Sequence, residues 1–267
     1  MFIDRLGQKS IGVVEAFGDY GAFVLATLFW IVRGPGRFAR QQLWVQMYEI
    51  GTLSIPVVAV TGGFIGMVLA IEAFPQFDQI GMSGRLGAVI TVSVVKQIGP
   101  VLTGVMLAGR VGGALTAELG TMRVSEQIDA LRAMASDPIR TLVVPRFIAC
   151  LVMLPILTIF SDWVGVFGGW LMSVPVLGVD HGDFIYYAVT SLDLYTINTG
   201  LIKALFFGSA IGSIACYKGF KASNGAQGVG RACTEAFVLS FVAILAENFF
   251  LAMLLNSLNP NPGSLLG

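Results

Sequence analysis

The sequence predicts an all-α integral membrane protein with five transmembrane helices, an N-terminal interfacial helix and one short helix in a cytoplasmic loop. Three observations predict this fold class. The 267 residues are 55% hydrophobic and only 12% charged, whereas a soluble domain carries about 25% charged residues. The mean hydropathy is +0.80. Several apolar runs also reach the length of about 20 residues that a helix needs to cross a bilayer core.

Five apolar runs are long enough to be spans. They cover residues 50–71, 86–109, 147–175, 194–217 and 236–257. Single charged residues interrupt four of them, namely Lys96, Asp162, Lys203 and Glu247. No segment between the runs is long enough for a core of its own, so residues 1–267 are predicted to form a single domain.

The N-terminal segment, residues 1–32, has a different pattern. Residues 20–32 are apolar but too few to span comfortably, and residues 1–19 mix apolar with charged side chains. This mixture favours a helix that lies in the membrane interface and dips inward, although a poorly ordered leader is an alternative. Asp4 and Glu15 interrupt the segment, which is not typical of a cleavable signal.

Lys and Arg residues predict the orientation. Of the 16 in the chain, 13 lie in three segments: the residues before span one, the loop between spans two and three, and the loop between spans four and five. With five spans these segments share one side. We therefore expect the N-terminus in the cytoplasm and the C-terminus in the periplasm.

The sequence offers no residues for catalysis or for metal binding. The three cysteines, Cys150, Cys216 and Cys233, are scattered, and His181 is the single histidine. Such a set indicates free thiols rather than a zinc or haem site. The chain also lacks the GxxxxGK[ST] pattern of an ATP-binding loop, so it is not expected to bind ATP that way.

Four GxxxG spacings fall at or within the spans. They are Gly62/Gly66, Gly109/Gly113, Gly165/Gly169 and Gly208/Gly212. Glycines at this spacing allow two helix backbones to approach closely. Packing inside one bundle is the interpretation for most of them, and use of one at a subunit interface stays open.

Lys96 and Lys203 lie inside apolar runs, where a charge costs about 2.5–3.5 kcal/mol on insertion scales. We predict that they line a polar path that meets an anionic group such as a phosphate. The alternative is a structural ion pair with Glu72, Asp162 or Glu247. Pro100 predicts a kink close to Lys96. The candidate residues of this path are Lys96, Gln97, Lys203 and Glu72.

The loop after span two predicts a helix of about three turns over residues 125–135. Ser125 is the expected N-cap, and Pro138 is expected to stop the helix. An apolar stripe at three-residue spacing fits a groove on a soluble partner, although a helix resting on lipid is the alternative. The candidate docking residues are Glu126, Gln127, Ile128, Asp129, Leu131, Met134 and Asp137.

Four motifs resemble the MlaE/YrbE permease family. They are KQIGPVLTGVMLAGR at residues 96–110, GRVGGALTAELGTMRVSEQIDALRAMASDP at 109–138, VVPRFIA at 143–149 and GFKASNGAQGVGRACTEAFV at 219–238. The resemblance covers nearly the whole chain. Two positions depart from the pattern, since Gln97 and Thr196 stand where members commonly carry an acid.

The resemblance implies the membrane subunit of an ABC transporter that moves phospholipids between the inner and outer membranes of Gram-negative bacteria and so maintains outer-membrane lipid asymmetry. It implies a homodimer in the inner membrane that docks two cytoplasmic ATPase subunits through the predicted helix at residues 125–135, the coupling helix. A hexameric MCE-domain protein on the periplasmic face and a cytoplasmic STAS-domain protein complete the complex. ATP and Mg belong to the ATPase, so this chain is expected to carry no cofactor, and no nucleic acid is involved.

Two other functions compete with this one. A membrane-embedded lipid-modifying enzyme would need clustered acids or histidines near the interface, and the sequence has none. An ion-coupled secondary transporter would favour inverted repeats, and five spans do not divide into equal halves.

Overall fold

The computed structural model describes residues 2–34, 37–223 and 225–258, and every regular element in those residues is helical. The α-helices are α1 (Phe2–Arg33), α2 (Arg37–Ile50), α3 (Ile55–Gln79), α4 (Leu86–Ser93), α5 (Gly99–Leu107), α6 (Gly113–Val124), α7 (Gln127–Ala133), α8 (Val144–Ser173), α9 (His181–Thr190), α10 (Leu194–Phe220) and α11 (Ala226–Ser257). The predicted all-α class is therefore confirmed.

Five helical stretches are long and apolar enough to cross a membrane, as predicted. They are Gln41–Gln79, Ser83–Val124, Ile139–Ser173, Leu194–Phe220 and Ala226–Ser257. Each one is longer than its apolar run, because a helix continues past the point where polar side chains begin. At 1.5 Å per residue, the second stretch would be about 63 Å long, roughly twice the hydrocarbon core. Part of α6 must therefore stand outside the bilayer.

Wide π-helical turns divide the second span into α4, α5 and α6. They cover Val94–Ile98 and Ala108–Gly112, and a third one, Ile139–Val143, leads into α8. Pro100 lies in the first turn of α5, where a proline's missing N–H is tolerated. The predicted irregularity is thus realised as a π turn just before the proline.

Glycines bring α3 and α8 into backbone contact. A Cβ atom at Gly62 would lie 2.8 Å from the carbonyl oxygen of Ser161, and one at Gly66 would overlap the Gly165 carbonyl. Gly169 faces the same surface of α3. Two of the four GxxxG pairs therefore build one internal helix contact, as the sequence favours.

The remaining pairs differ from each other. A Cβ atom at Gly208 would lie 2.8 Å from the Cys150 carbonyl oxygen, so this part of α10 packs on α8. No atom of the described residues lies within 4 Å of a Cβ position at Gly113. A Cβ atom at Gly109 would lie 3.5 Å from the Phe237 ring, so only Gly113 of this pair is open, and use of the pair at a subunit interface stays a prediction.

The buried apolar side chains form three clusters along the bundle. The largest occupies the middle, around Leu107, Leu154 and Phe207. A second joins α4, α8 and α9 at one end. The third, here called the end cluster, lies at the opposite end next to α7. It contains Leu119, Ile128, Leu142, Val143 and Cys216.

Helix α1 packs on the end of α10 through its second half. The hydroxyls of Tyr20 and Ser213 lie 2.7 Å apart, and Asp19 accepts a hydrogen bond from Lys221 just beyond α10. That bond raises the pKa of the Lys221 ammonium. The placement of α1 in the membrane interface stays a prediction.

We predict that Gly66→Ala destabilises the bundle by about 1–3 kcal/mol, because the added methyl forces α3 and α8 apart. Gly113→Ala is the matched control, since its Cβ position is open. The measurement is the free energy of unfolding of each variant in lipid nanodiscs. Equal stability of the two variants would contradict this role of the close contact.

Candidate functional site

The coupling segment, residues 125–138, joins α6 to the third span, and its backbone differs from the prediction. The expected N-cap, Ser125, instead ends α6, and its hydroxyl donates to the carbonyl oxygen of Thr121 at 2.8 Å. Glu126 precedes α7 with a left-handed φ of 59°, which reverses the chain. Local propensity favours Ser125 as a cap at the start of α7. The chain reversal at Glu126 places Ser125 at the end of α6 instead.

The helix is also shorter than predicted. Helix α7 has 7 residues, Gln127–Ala133, which is about two turns. It ends before Pro138, because Ala135 already adopts a left-handed φ of 56°. Pro138 directly precedes the third span, because it is the N-cap of the π turn Ile139–Val143.

The apolar stripe of α7 faces the protein's own bundle. Ile128 has 0% exposure and belongs to the end cluster, and Leu131 is packed against that cluster. The expectation that Ile128 contacts a partner is therefore wrong, because a side chain enclosed in the core offers no surface. Met134, at 68% exposure, is the member of the stripe that faces outward.

Charged side chains cover the outer face of the coupling segment. Arg123 donates to both carboxylate oxygens of Asp129, at 2.9 and 2.7 Å, and Arg132 donates to Asp129 at 3.1 Å. Glu126 and Gln127 are exposed. Asp129 is thus exposed but already paired within the chain, and Glu126, Gln127 and Met134 are exposed on the same segment.

Asp137 has an internal role that the sequence did not reveal. Its carboxylate accepts hydrogen bonds from the Trp30 indole N–H and from the Ile139 backbone N–H, both at 2.9 Å. The Arg140 guanidinium lies 5.0 Å from the centre of the Trp30 ring. Trp30 sits in an apolar run 107 positions away, so no local pattern could have paired it with Asp137. These contacts tie the end of α1 to the coupling segment.

A buried arginine lies close to the coupling segment, near the start of α8. Arg146 has 0% exposure, and its guanidinium lies 2.9 Å from the Glu118 carboxylate. It also donates to the Leu142 carbonyl oxygen at 2.8 Å. The sequence interpretation counted Arg146 among loop charges, but it lies inside α8. A buried arginine requires such partners, because an unpaired charge is costly in the interior.

The predicted polar path contains a link between spans two and four. The Lys203 ammonium is buried, at 1% exposure. It donates to the Gln97 side-chain oxygen and, at 3.3 Å, to the Lys96 carbonyl oxygen. The π turn Val94–Ile98 makes this possible, since wide turns leave backbone carbonyls free. Lys96 itself is half-buried.

The acids considered as counter-charges do not pair with these lysines. Among the described residues, no salt bridge joins Lys96 or Lys203 to Glu72, Asp162 or Glu247. Glu72 is exposed near the end of α3. The structure thus brings together Lys96, Gln97 and Lys203, and the described residues show no salt bridge between Glu72 and either lysine.

No metal centre is formed by the side chains that the structure describes, since they contain no group of three potential metal ligands. The three cysteines are free thiols, two of them buried. The fold and the site together define a class of protein. It is a five-span helical membrane protein with an anchored coupling segment at one end and a buried polar link inside.

The chain belongs to the MlaE permease family, whose model, described as Permease MlaE, matches residues 43–254. A probable ABC transporter permease protein of Rickettsia bellii is 38% identical over 94% of this chain and 96% of its own length. A probable ABC transporter permease protein of Synechocystis is 42% identical over 82% of this chain and 84% of its own. The intermembrane phospholipid transport system permease protein MlaE of Haemophilus influenzae is 34% identical over 95% and 97%.

We predict that Gln97→Leu destabilises the protein by about 1–3 kcal/mol, because the Lys203 ammonium loses its side-chain acceptor. Gln97→Glu keeps an acceptor at this position and is expected to retain the stability of the natural protein. The measurement is denaturant unfolding of each variant in detergent. A Leu variant as stable as the Glu variant would show that the link contributes nothing.

Proposed function

We propose that this ABC transporter permease moves phospholipids between the inner and outer membranes and so maintains outer-membrane lipid asymmetry. The supporting observation is the likeness to the Haemophilus influenzae permease, which is named for intermembrane phospholipid transport and aligns over 95% of this chain. The relatives named as ABC transporter permeases favour this function over a lipid-modifying enzyme or an ion-coupled transporter.

The proposed complex contains two copies of this chain and two cytoplasmic ABC ATPase subunits. ATP and Mg bind to the ATPases, and this chain is non-catalytic. A hexameric MCE-domain protein in the periplasm and a STAS-domain protein in the cytoplasm are the further proposed partners. The chain is proposed to lie in the inner membrane with its N-terminus in the cytoplasm; its C-terminal residues after Leu258 lie outside the described part.

The coupling segment is the proposed ATPase contact. Glu126, Gln127 and Met134 offer an exposed surface, while Ile128 fixes α7 to the end cluster. A partner that moves this surface therefore also moves the ends of spans two, three and four. The ATPase can shift the equilibrium of the permease only by binding one of its states more tightly.

The lipid path is proposed to pass Lys96, Gln97 and Lys203. Lys96 is the candidate for phosphate contact, because it is half-buried while Lys203 is enclosed by its own acceptors. Glu72 is exposed and is retained as a candidate for the entrance of the path.

Reconstitution with the ATPase and the periplasmic partner tests the function. We expect labelled phospholipid to pass between donor and acceptor membranes only when ATP is hydrolysed, and an ATPase variant that cannot hydrolyse ATP is the control. Transfer driven by an ion gradient without ATP would point to a secondary transporter. Chemical conversion of the lipid would point to an enzyme.

We predict that Met134→Asp weakens ATPase binding about tenfold, because it places a charge in the proposed contact. The variant should keep its stability, since Met134 is 68% exposed. Ile80→Asp is the matched control, an equally exposed apolar residue (63%) beyond the end of α3. The measurement is co-purification of the ATPase with each variant. Equal recovery with both variants would contradict docking at Met134.

A further inference from the structure

A cleft of about 530 Å³ opens on the flank of the bundle between α8, α9 and α10. Its outer wall is aromatic, with the Trp163 and Phe167 rings stacked at 6.2 Å and the Phe167 and Trp170 rings at 5.7 Å. Trp163 is 67% exposed. Cavities of about 300–1,000 Å³ lined mainly by apolar groups are typical small-ligand sites. Lys96, Gln97 and Lys203 do not line this one.

Two buried side chains that line the cleft each carry a polar atom without a hydrogen-bond partner in the described part of the chain. Asp162 is 8% exposed and Thr91 is 1% exposed. Neither Asp162 Oδ1 nor Thr91 Oγ1 has a hydrogen-bond partner among the described residues. Asp162 packs against Gly99, the glycine that follows the π turn Val94–Ile98. A side chain on residue 99 would occupy the space of the carboxylate, so the glycine makes room for the acid.

An unpartnered carboxylate inside a bilayer is costly, and such groups usually mark a functional site. An apolar cleft with an acid at its inner end fits a ligand with a long hydrocarbon body and one polar end. An ionised carboxylate only accepts hydrogen bonds, so the polar end that fits the ionised Asp162 is a hydrogen-bond donor. An ammonium group is the strongest complement, since its hydrogen bond to a carboxylate is charge-assisted.

We propose that this cleft binds a long-chain lipid amine, with its ammonium group on Asp162 and Thr91 and its chain along Trp163, Phe167 and Trp170. The ammonium can belong to a single-chain amine or to a phosphatidylethanolamine headgroup. This proposal depends on the chain being a membrane protein and does not depend on its transport function. It therefore stands apart from the proposed transport function and can be tested without the ATPase.

The four tryptophans of the chain allow a direct measurement. Trp30 and Trp44 lie on α1 and α2, so a Trp30→Phe, Trp44→Phe background leaves fluorescence only from Trp163 and Trp170. The full chain in phosphatidylcholine nanodiscs is titrated with 11-bromoundecylamine, whose bromine quenches nearby indoles. The alcohol and the carboxylic acid of the same chain length are the matched probes.

We expect the amine to quench with an apparent affinity about tenfold tighter than the alcohol or the acid, which is the contribution of one charge-assisted hydrogen bond. Asp162→Asn should abolish this preference. Ile185→Lys, a change at an exposed position lining the cleft, should also abolish it by adding a fixed cation. This second variant covers the case in which Asp162→Asn fails to fold.

Added phosphatidylethanolamine distinguishes the two sources of the ammonium. Competition with the bromoamine assigns the headgroup as ligand, and lack of competition assigns a single-chain amine. Equal quenching by all three probes, or an amine preference that survives in a folded Asp162→Asn or Ile185→Lys variant, would overturn the proposal.

Discussion

The bundle depends on one constraint, which is that a charged or polar group inside hydrocarbon is costly unless it finds a partner. Three basic side chains inside the helices follow this rule. Lys203 donates to Gln97, Arg146 reaches Glu118, and Arg110 donates to the Ser54 hydroxyl. Each pair joins two different spans. These basic side chains are costly to bury, and they also specify which helices are neighbours. A different helix pairing would leave a charge without its partner.

Close backbone contact is the second condition for these pairs. The glycines of α3 and α8 let the two helices touch, and this contact holds Ser161 and Asp162 against the interior of the bundle. The π turn Val94–Ile98 then widens the second span between α8 and α10. Lys203 on α10 reaches the freed Lys96 carbonyl oxygen from there. Helix packing and polar pairing consequently support each other rather than acting as independent contributions.

The class and the number of spans could be predicted because the length of an apolar run is local information. Contacts between side chains on different helices could not be predicted, because they depend on residues far apart in the sequence. Gln97 follows Lys96 directly in the sequence, yet its side chain serves Lys203 on another helix. The cap at Ser125 was predicted wrongly, since the left-handed Glu126 depends on how α7 returns to the end cluster. Ile128 was assigned to a partner surface because periodicity identifies an apolar face without stating what covers it.

Burial of Ile128 changes how the coupling segment can work. A helix of 7 residues is too short to be stable alone, so α7 exists because the end cluster holds it. Asp137 and Trp30 add a second attachment, from the segment to α1. A force applied to the exposed Met134 side is therefore transmitted to the bundle through packed side chains, and to α1 through one hydrogen bond. If α1 lies in the membrane interface, as its sequence predicts, movement of the coupling segment is also movement against the lipid surface.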